Sequence, residues 1–149
     1  GFFAHPNGMY RESDKTHENV SHLAVDAFYD APIKGGDCLN AYLSFTNFNY
    51  GDKYLSRWGG TGNVFYGQVG YKLKNTSFMP YVAYQSADFE GYKDPVTGLD
   101  IGVNYFINGH NAKVTLEYHQ VTGDYRDVPA AVQADGKMQQ VRLQTHIFL

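Results

Sequence analysis

LDIGVNYFINGHNAKVTLEY, residues 99–118, alternates with a period of two on both sides of a short polar turn. Leu99, Ile101, Val103 and Tyr105 share one side of the first arm, while Asp100 and Asn104 share the other. In the return arm Val114, Leu116 and Tyr118 are apolar; Lys113, Thr115, Glu117 and, just beyond, His119 are polar. Such alternation puts successive side chains on opposite faces of a strand. Asn108-Gly109-His110-Asn111 between the arms is turn chemistry. The stretch is predicted to be an antiparallel hairpin with one face suited to hydrocarbon and one to water.

The same pattern recurs along the chain, and the 3.6-residue period of a helix never persists. Seven alternating segments cover 22–30, 38–47, 63–73, 77–87, 98–107, 111–121 and 139–149. Their apolar side continues through Leu23, Val25, Ala27 and Tyr29, then Leu39, Ala41, Leu43 and Phe45. Phe65, Val69 and Tyr71 follow, then Phe78, Pro80, Val82 and Tyr84. Val141, Leu143, Thr145, Ile147 and Leu149 complete it, with no charged, amide or imidazole side chain interrupting. The opposite side carries His22, Asp26, Asn40, Ser44, Gln68, Lys72, Arg142, Gln144 and His146.

Composition narrows the classes. Thirteen Tyr, ten Phe and sixteen Gly favour strands and turns over helices. A net charge of −3 offers no basic footprint for nucleic acid. No run of about 18 apolar residues exists to make a transmembrane helix. GFFAHPNGMY at the start lacks the order of a signal peptide, and the single Cys38 excludes a disulfide within the chain.

A one-sided alternating sheet is either a soluble barrel or sandwich with an apolar core, or a membrane barrel with an apolar exterior. Three features favour the membrane. Tyr29, Tyr71, Phe78 and Tyr105 lie beside short connections, and Phe45, Phe65, Tyr84 and Tyr118 lie toward long ones, as two interfacial girdles would. Short turns at 34–37, 74–77 and 108–111 alternate with long connections at 48–62, 88–97 and 122–138. The last segment, VRLQTHIFL (141–149), stays apolar on its outward side to its end. The expected fold is all-β: a transmembrane antiparallel β-barrel, of which this chain supplies about seven strands. Residues 1–21 are expected to be an extracellular loop and 22–149 the seven membrane strands. Because single-chain bacterial barrels have even strand numbers, 1–149 reads as the C-terminal portion of a larger up-and-down barrel.

LDIGVNYFINGHNAKVTLEY (99–118), TGNVFYGQVGYKLK (61–74) and VRLQTHIFL (141–149) resemble phosphate-selective porin O/P-type outer-membrane porins. The resemblance spans roughly residues 20–149 through diffuse motifs, and this chain is much shorter than such a porin. It implies passive diffusion through a water-filled, usually trimeric barrel in a bacterial outer membrane, among lipid and lipopolysaccharide. It also implies that the closing strand, through Val141, Leu143, Ile147, Phe148 and Leu149, is the signal for membrane insertion.

The expected pore lining is Asp26, Lys72, Asp100, Asn104, Lys113, Glu117, His119, Arg142 and His146. Pairing about the 122–138 connection should bring Glu117 near Arg142 and Lys113 near His146, within a register step or two. Three basic and three acidic groups on this face give no basis for anion selectivity. They either orient permeating ions or neutralise one another across strands. No metal, cofactor or catalytic residue is expected: ESDKTHE (12–18) and YKDPVTG (92–98) lack calcium-loop spacing, and no nucleophile elbow is present. Small hydrophilic solutes or ions are the expected partners, in a homotrimer or larger outer-membrane assembly. The alternatives are an eight-stranded barrel binding through its loops with residues 1–10 as an eighth strand, a lipid-modifying barrel enzyme, and a soluble ligand-binding barrel.

Overall fold

A computed structural model describes residues 1–33, 37–56, 59–108, 111–123 and 137–148. Among these residues every regular element is a strand. They are β1 (Phe2–Arg11), β2 (Thr16–Pro32), β3 (Cys38–Asn49), β4 (Leu55–Ser56), β5 (Gly59–Gly60), β6 (Gly62–Lys72), β7 (Phe78–Phe89), β8 (Val96–Asn108), β9 (Ala112–Thr122) and β10 (Lys137–Ile147). Eight form one sheet in the order β1-β2-β3-β6-β7-β8-β9-β10, with every neighbouring pair antiparallel. β4 and β5 pair separately as a small ribbon within the 48–62 connection.

The seven alternating segments correspond to β2, β3 and β6 through β10. β10 ends at Ile147, Phe148 follows it, and Leu149 lies outside the described residues. So do 34–36, 57–58, 109–110 and 124–136, which include most of the longest connection and parts of two expected turns. At the remaining short turn, Asn75 takes φ 54°, in the left-handed region that Asn tolerates better than most residues. Leu73 N–H then donates to Phe78 O at 3.1 Å, closing the β6–β7 hairpin.

Residues 1–21, expected to be a connection, are largely strand. β1 pairs with β2 from Arg11↔Thr16 to Phe2↔Leu23, with an irregularity between His5 and Met9 where Asn7 takes φ 54°. β3 first meets β2 at Ser21↔Asn49, so Thr16–Val20 and most of β1 project past the end of β3. Below Leu23, β1 contributes only Gly1, whose ammonium donates to Ala24 O at 2.6 Å and whose carbonyl accepts from Ala24 N–H at 2.8 Å. Val25–Pro32 therefore pairs with β3 on one side and with no described strand on the other. β1 is thus an edge strand of the sheet, and the hairpin it makes with the start of β2 extends past the end of β3 and is clamped by Arg11. Its Nη2 meets Glu18 Oε1 at 3.1 Å and donates to Asp52 O at 3.0 Å.

Burial runs opposite to that of a soluble protein. Val25, Leu43, Ile101 and Leu116 are 59, 50, 54 and 50% exposed, while Asp100, Asn104, Thr115 and His119 are 7, 6, 8 and 3% exposed. Among the described residues only Val20 and Ala83 are buried apolar side chains. No second layer among the described residues covers the apolar face. The polar face is sheltered because the sheet rolls around it: one cavity is lined from Asp30 on β2 to Gln144 on β10. β1 and β10 remain the two edges, so the described strands form a rolled, open sheet.

Candidate functional site

Register sorts the polar face into rows running across the strands. The central row is Asn40, Gly70, Tyr81, Gly102, Glu117 and Arg142, each the partner of the next. Gly102 is the gap that organises it. A Cβ there would stand 2.5 Å from Tyr81 Cζ and 2.6 Å from its hydroxyl oxygen, so the tyrosine ring lies across bare backbone. The ring thereby spans β8, and its hydroxyl donates to Glu117 Oε2 on β9 at 2.6 Å. Arg142 Nη1 reaches Glu117 Oε1 from β10 at 3.2 Å, and Arg142 Nε donates to Gln140 Oε1 at 3.1 Å.

The next row toward the long connections is Gln68, Ala83, Asp100, His119 and Gln140. Small, buried Ala83 leaves room beside Asp100, whose Oδ1 hydrogen-bonds to His119 Nδ1. On the other side of the central row come Met79, Asn104, Thr115 and Gln144, where the Thr115 hydroxyl donates to Asn104 Oδ1 at 2.6 Å. Each buried polar group in these rows is thus satisfied by a neighbour one strand away, as burial requires.

Asp100, Glu117 and His119 offer ligand atoms all within 4.8 Å of one another. Glu117 already accepts from Tyr81 and Arg142, and His119 already bonds Asp100. A cation of the zinc type would have to displace the tyrosine hydroxyl and the guanidinium. The arrangement instead holds two carboxylates and their partners as a fixed band of charge and hydrogen-bonding groups midway along the face.

Charge also separates along the strands. Toward the short turns, Lys72 and Lys113 line a cavity of about 660 Å3 together with Asp30. Lys72 donates to Thr76 O and stands 5.7 Å above the Phe106 ring. At the long-connection end a smaller cavity of about 310 Å3 is lined by Asp52, Asp88 and Glu90 among others. Rings mark that rim: His22 lies 5.4 Å from Phe3, 5.0 Å from Phe48 and 4.8 Å from Tyr50.

Of the nine expected lining residues, Asp100, Asn104, Glu117, His119 and Arg142 fall in the three rows, and Lys72 and Lys113 line the larger cavity. Lys113 and His146 are direct register partners, as are Glu117 and Arg142; the His146 ring sits 4.3 Å from Phe148. Asp26, near the uncovered edge of β2, is exposed and lines neither cavity. Tyr29, Phe45, Phe65, Tyr71, Phe78, Tyr84, Tyr105 and Tyr118 are all exposed, as are Val141, Leu143, Ile147 and Phe148. Sequence reasoning missed Tyr42, Tyr66 and Tyr81 on the polar face. Strand parity places them there, but an uncharged aromatic does not announce itself among polar neighbours.

Comparison with protein-family models, curated proteins and solved structures returns no match. A functional reading therefore draws on the chain's own residues and geometry.

Proposed function

We propose that this chain forms part of the wall of a bacterial outer-membrane β-barrel porin, which passes small hydrophilic solutes or ions through a water-filled interior. The observation that carries the reading is the inverted burial: an unbroken apolar face is exposed while carboxylates, amides and imidazole are sheltered. In water that exposed surface would be a severe aggregation liability; in a bilayer it is the expected lipid contact. The eight aromatics expected as girdles would then lie in the two headgroup regions, and the strands, 11–13 residues long in β6 through β10, are long enough to cross hydrocarbon when tilted.

Unpaired backbone in hydrocarbon costs several kcal/mol per group, on the order given by apolar transfer. The open edges at Val25–Pro32 and β10 therefore call for further strands. β2 and β10 both run toward the short-turn end, so pairing β10 directly with the uncovered part of β2 would be parallel. An odd number of intervening strands restores alternation, as in a larger barrel.

The eight-stranded reading draws support from β1, which does pair as an eighth strand. Among the described residues β1 pairs with β2 and not with β10, so these eight strands do not close on themselves. Spin labels at Leu43, Val103 and Leu116 in vesicles test the wall directly. Strong quenching by lipid-soluble oxygen at all three, with labels at Gln68 and Gln144 responding to a water-soluble nickel complex, is expected. The reverse pattern would end the membrane reading.

A further inference from the structure

We propose that the larger cavity of the polar face binds sugar rings, with Tyr81 as the stacking platform. This names a solute class for the pore and rests on reading the polar face as water-filled. Tyr81 lies across Gly102 and its hydroxyl is tethered to Glu117, so its ring is held flat against the sheet before any ligand arrives. A pre-positioned ring loses little conformational freedom on binding. An aromatic face is electron-rich, and the C–H face of a pyranose presents weakly positive hydrogens to it.

The groups around the platform match the rest of such a ligand. The Asn40 and Gln144 side chains line the cavity and make no hydrogen bond among the described residues. Each amide can donate and accept, and so can each sugar hydroxyl. Gln68 accepts from the Tyr66 hydroxyl at 2.8 Å and Asn104 accepts from Thr115, so both keep their amide N–H groups for a ligand. A volume of about 660 Å3 lies within the ordinary range for small-molecule sites and accommodates a disaccharide.

Other solutes fit less well. Lys72 and Lys113 share the cavity with Asp30, and Lys72 is already engaged by Thr76 O and the Phe106 ring, so an inorganic anion meets no dedicated cradle. A nucleobase could stack but would leave most of the surrounding amides without partners. Rings also continue beyond the cavity. Tyr42 and Tyr66, 6.0 Å apart, lie one and two register rows from Tyr81 toward the long connections, and Phe48 and Tyr50 stack at the rim. A ring solute could therefore pass between successive aromatic faces without full rehydration.

The test is calorimetric titration, in detergent, of the complete folded barrel of which this chain is proposed to form part, with cellobiose, uridine and inorganic phosphate. Cellobiose should bind saturably and more tightly than either control. Tyr81→Phe, which keeps the ring but loses the tether to Glu117, should weaken binding less than Tyr81→Leu, which still covers Gly102 and should weaken it about tenfold. Absence of saturable cellobiose binding overturns the proposal, as does equal or tighter binding of uridine or phosphate, or an unaltered Tyr81→Leu. Bilayer conductance of the same preparation separates the two readings. Conductance without cellobiose binding overturns the sugar site and leaves the pore, while binding without conductance supports the site and removes the pore.

Discussion

The β8–β9 and β1–β2 hairpins contain the same backbone pairing and have opposite relations to the sheet. β8 and β9 pair from Thr97↔Thr122 to Asn108↔Ala112, and sheet neighbours flank both. Between Leu99 and Tyr105 on β8 and between Val114 and Tyr118 on β9 one face is apolar, with Gln120 and the Thr97–Thr122 pair only at its long-connection end, and the other face carries Asp100, Asn104, Glu117 and His119. β1 and the start of β2 carry His5, Asn7, Glu18 and Asn19 without a clean apolar face, and an irregularity after His5 interrupts the ladder. They project past β3, held by Arg11 and by Asn7 N–H donating to the Asn19 side chain at 3.0 Å. Pairing places both hairpins in one sheet; one-sided alternation gives only β8–β9 a face sorted into apolar and polar sides.

The largest contrast should come from a charge placed on each hairpin. Leu116→Arg, on the exposed apolar face of β9, should destabilise the folded protein in vesicles by about 2–4 kcal/mol if it lies near the bilayer midplane. Tyr10→Arg, equally exposed on β1, should stay within about 0.5 kcal/mol. Urea unfolding in lipid measures both. Similar small effects would break the comparison, because Leu116 would then be facing water.

A smaller contrast concerns the polar contacts. His119→Ala strands the buried Asp100 carboxyl and should cost about 1–3 kcal/mol. Arg11→Met removes a partly exposed ion pair and should cost about 1 kcal/mol, shrinking as salt is added. Unfolding midpoints at low and high salt sharpen the comparison. A larger loss from Arg11→Met would make the projecting hairpin, rather than the polar rows, the better-determined region.

The finest effect lies at the hairpin tip. The Thr16 hydroxyl donates to Asp14 Oδ1 at 2.7 Å and holds that carboxyl below its usual range. Because the folded-state value is the lower one, its contribution is full above about pH 4 and fades as pH falls through the depressed value. An NMR titration of Asp14 should therefore show a midpoint below about 4, and Thr16→Val should raise it. An unchanged midpoint would remove the hydroxyl as the cause.

The places of β2, β3 and β6 through β10 and the face each side chain occupies were legible in the alternation alone. The physical reason is local: a strand's side-chain period is set by covalent geometry, so Leu116 and Glu117 must point opposite ways whatever their neighbours. Glu117 near Arg142 was legible too, because one connection joins their strands and limits the register. The β1–β2 hairpin was not, since residues 1–21 carry polar groups on both sides and owe their pairing to the backbone, a turn and Arg11. Nor was the site itself. That Ala83 makes room for Asp100, or that Tyr81 crosses Gly102 to reach Glu117, depends on which positions stand opposite across three strands. Register and the rolling of the sheet decide such neighbours, and both are set by all the strands together rather than by the residues nearby in the chain.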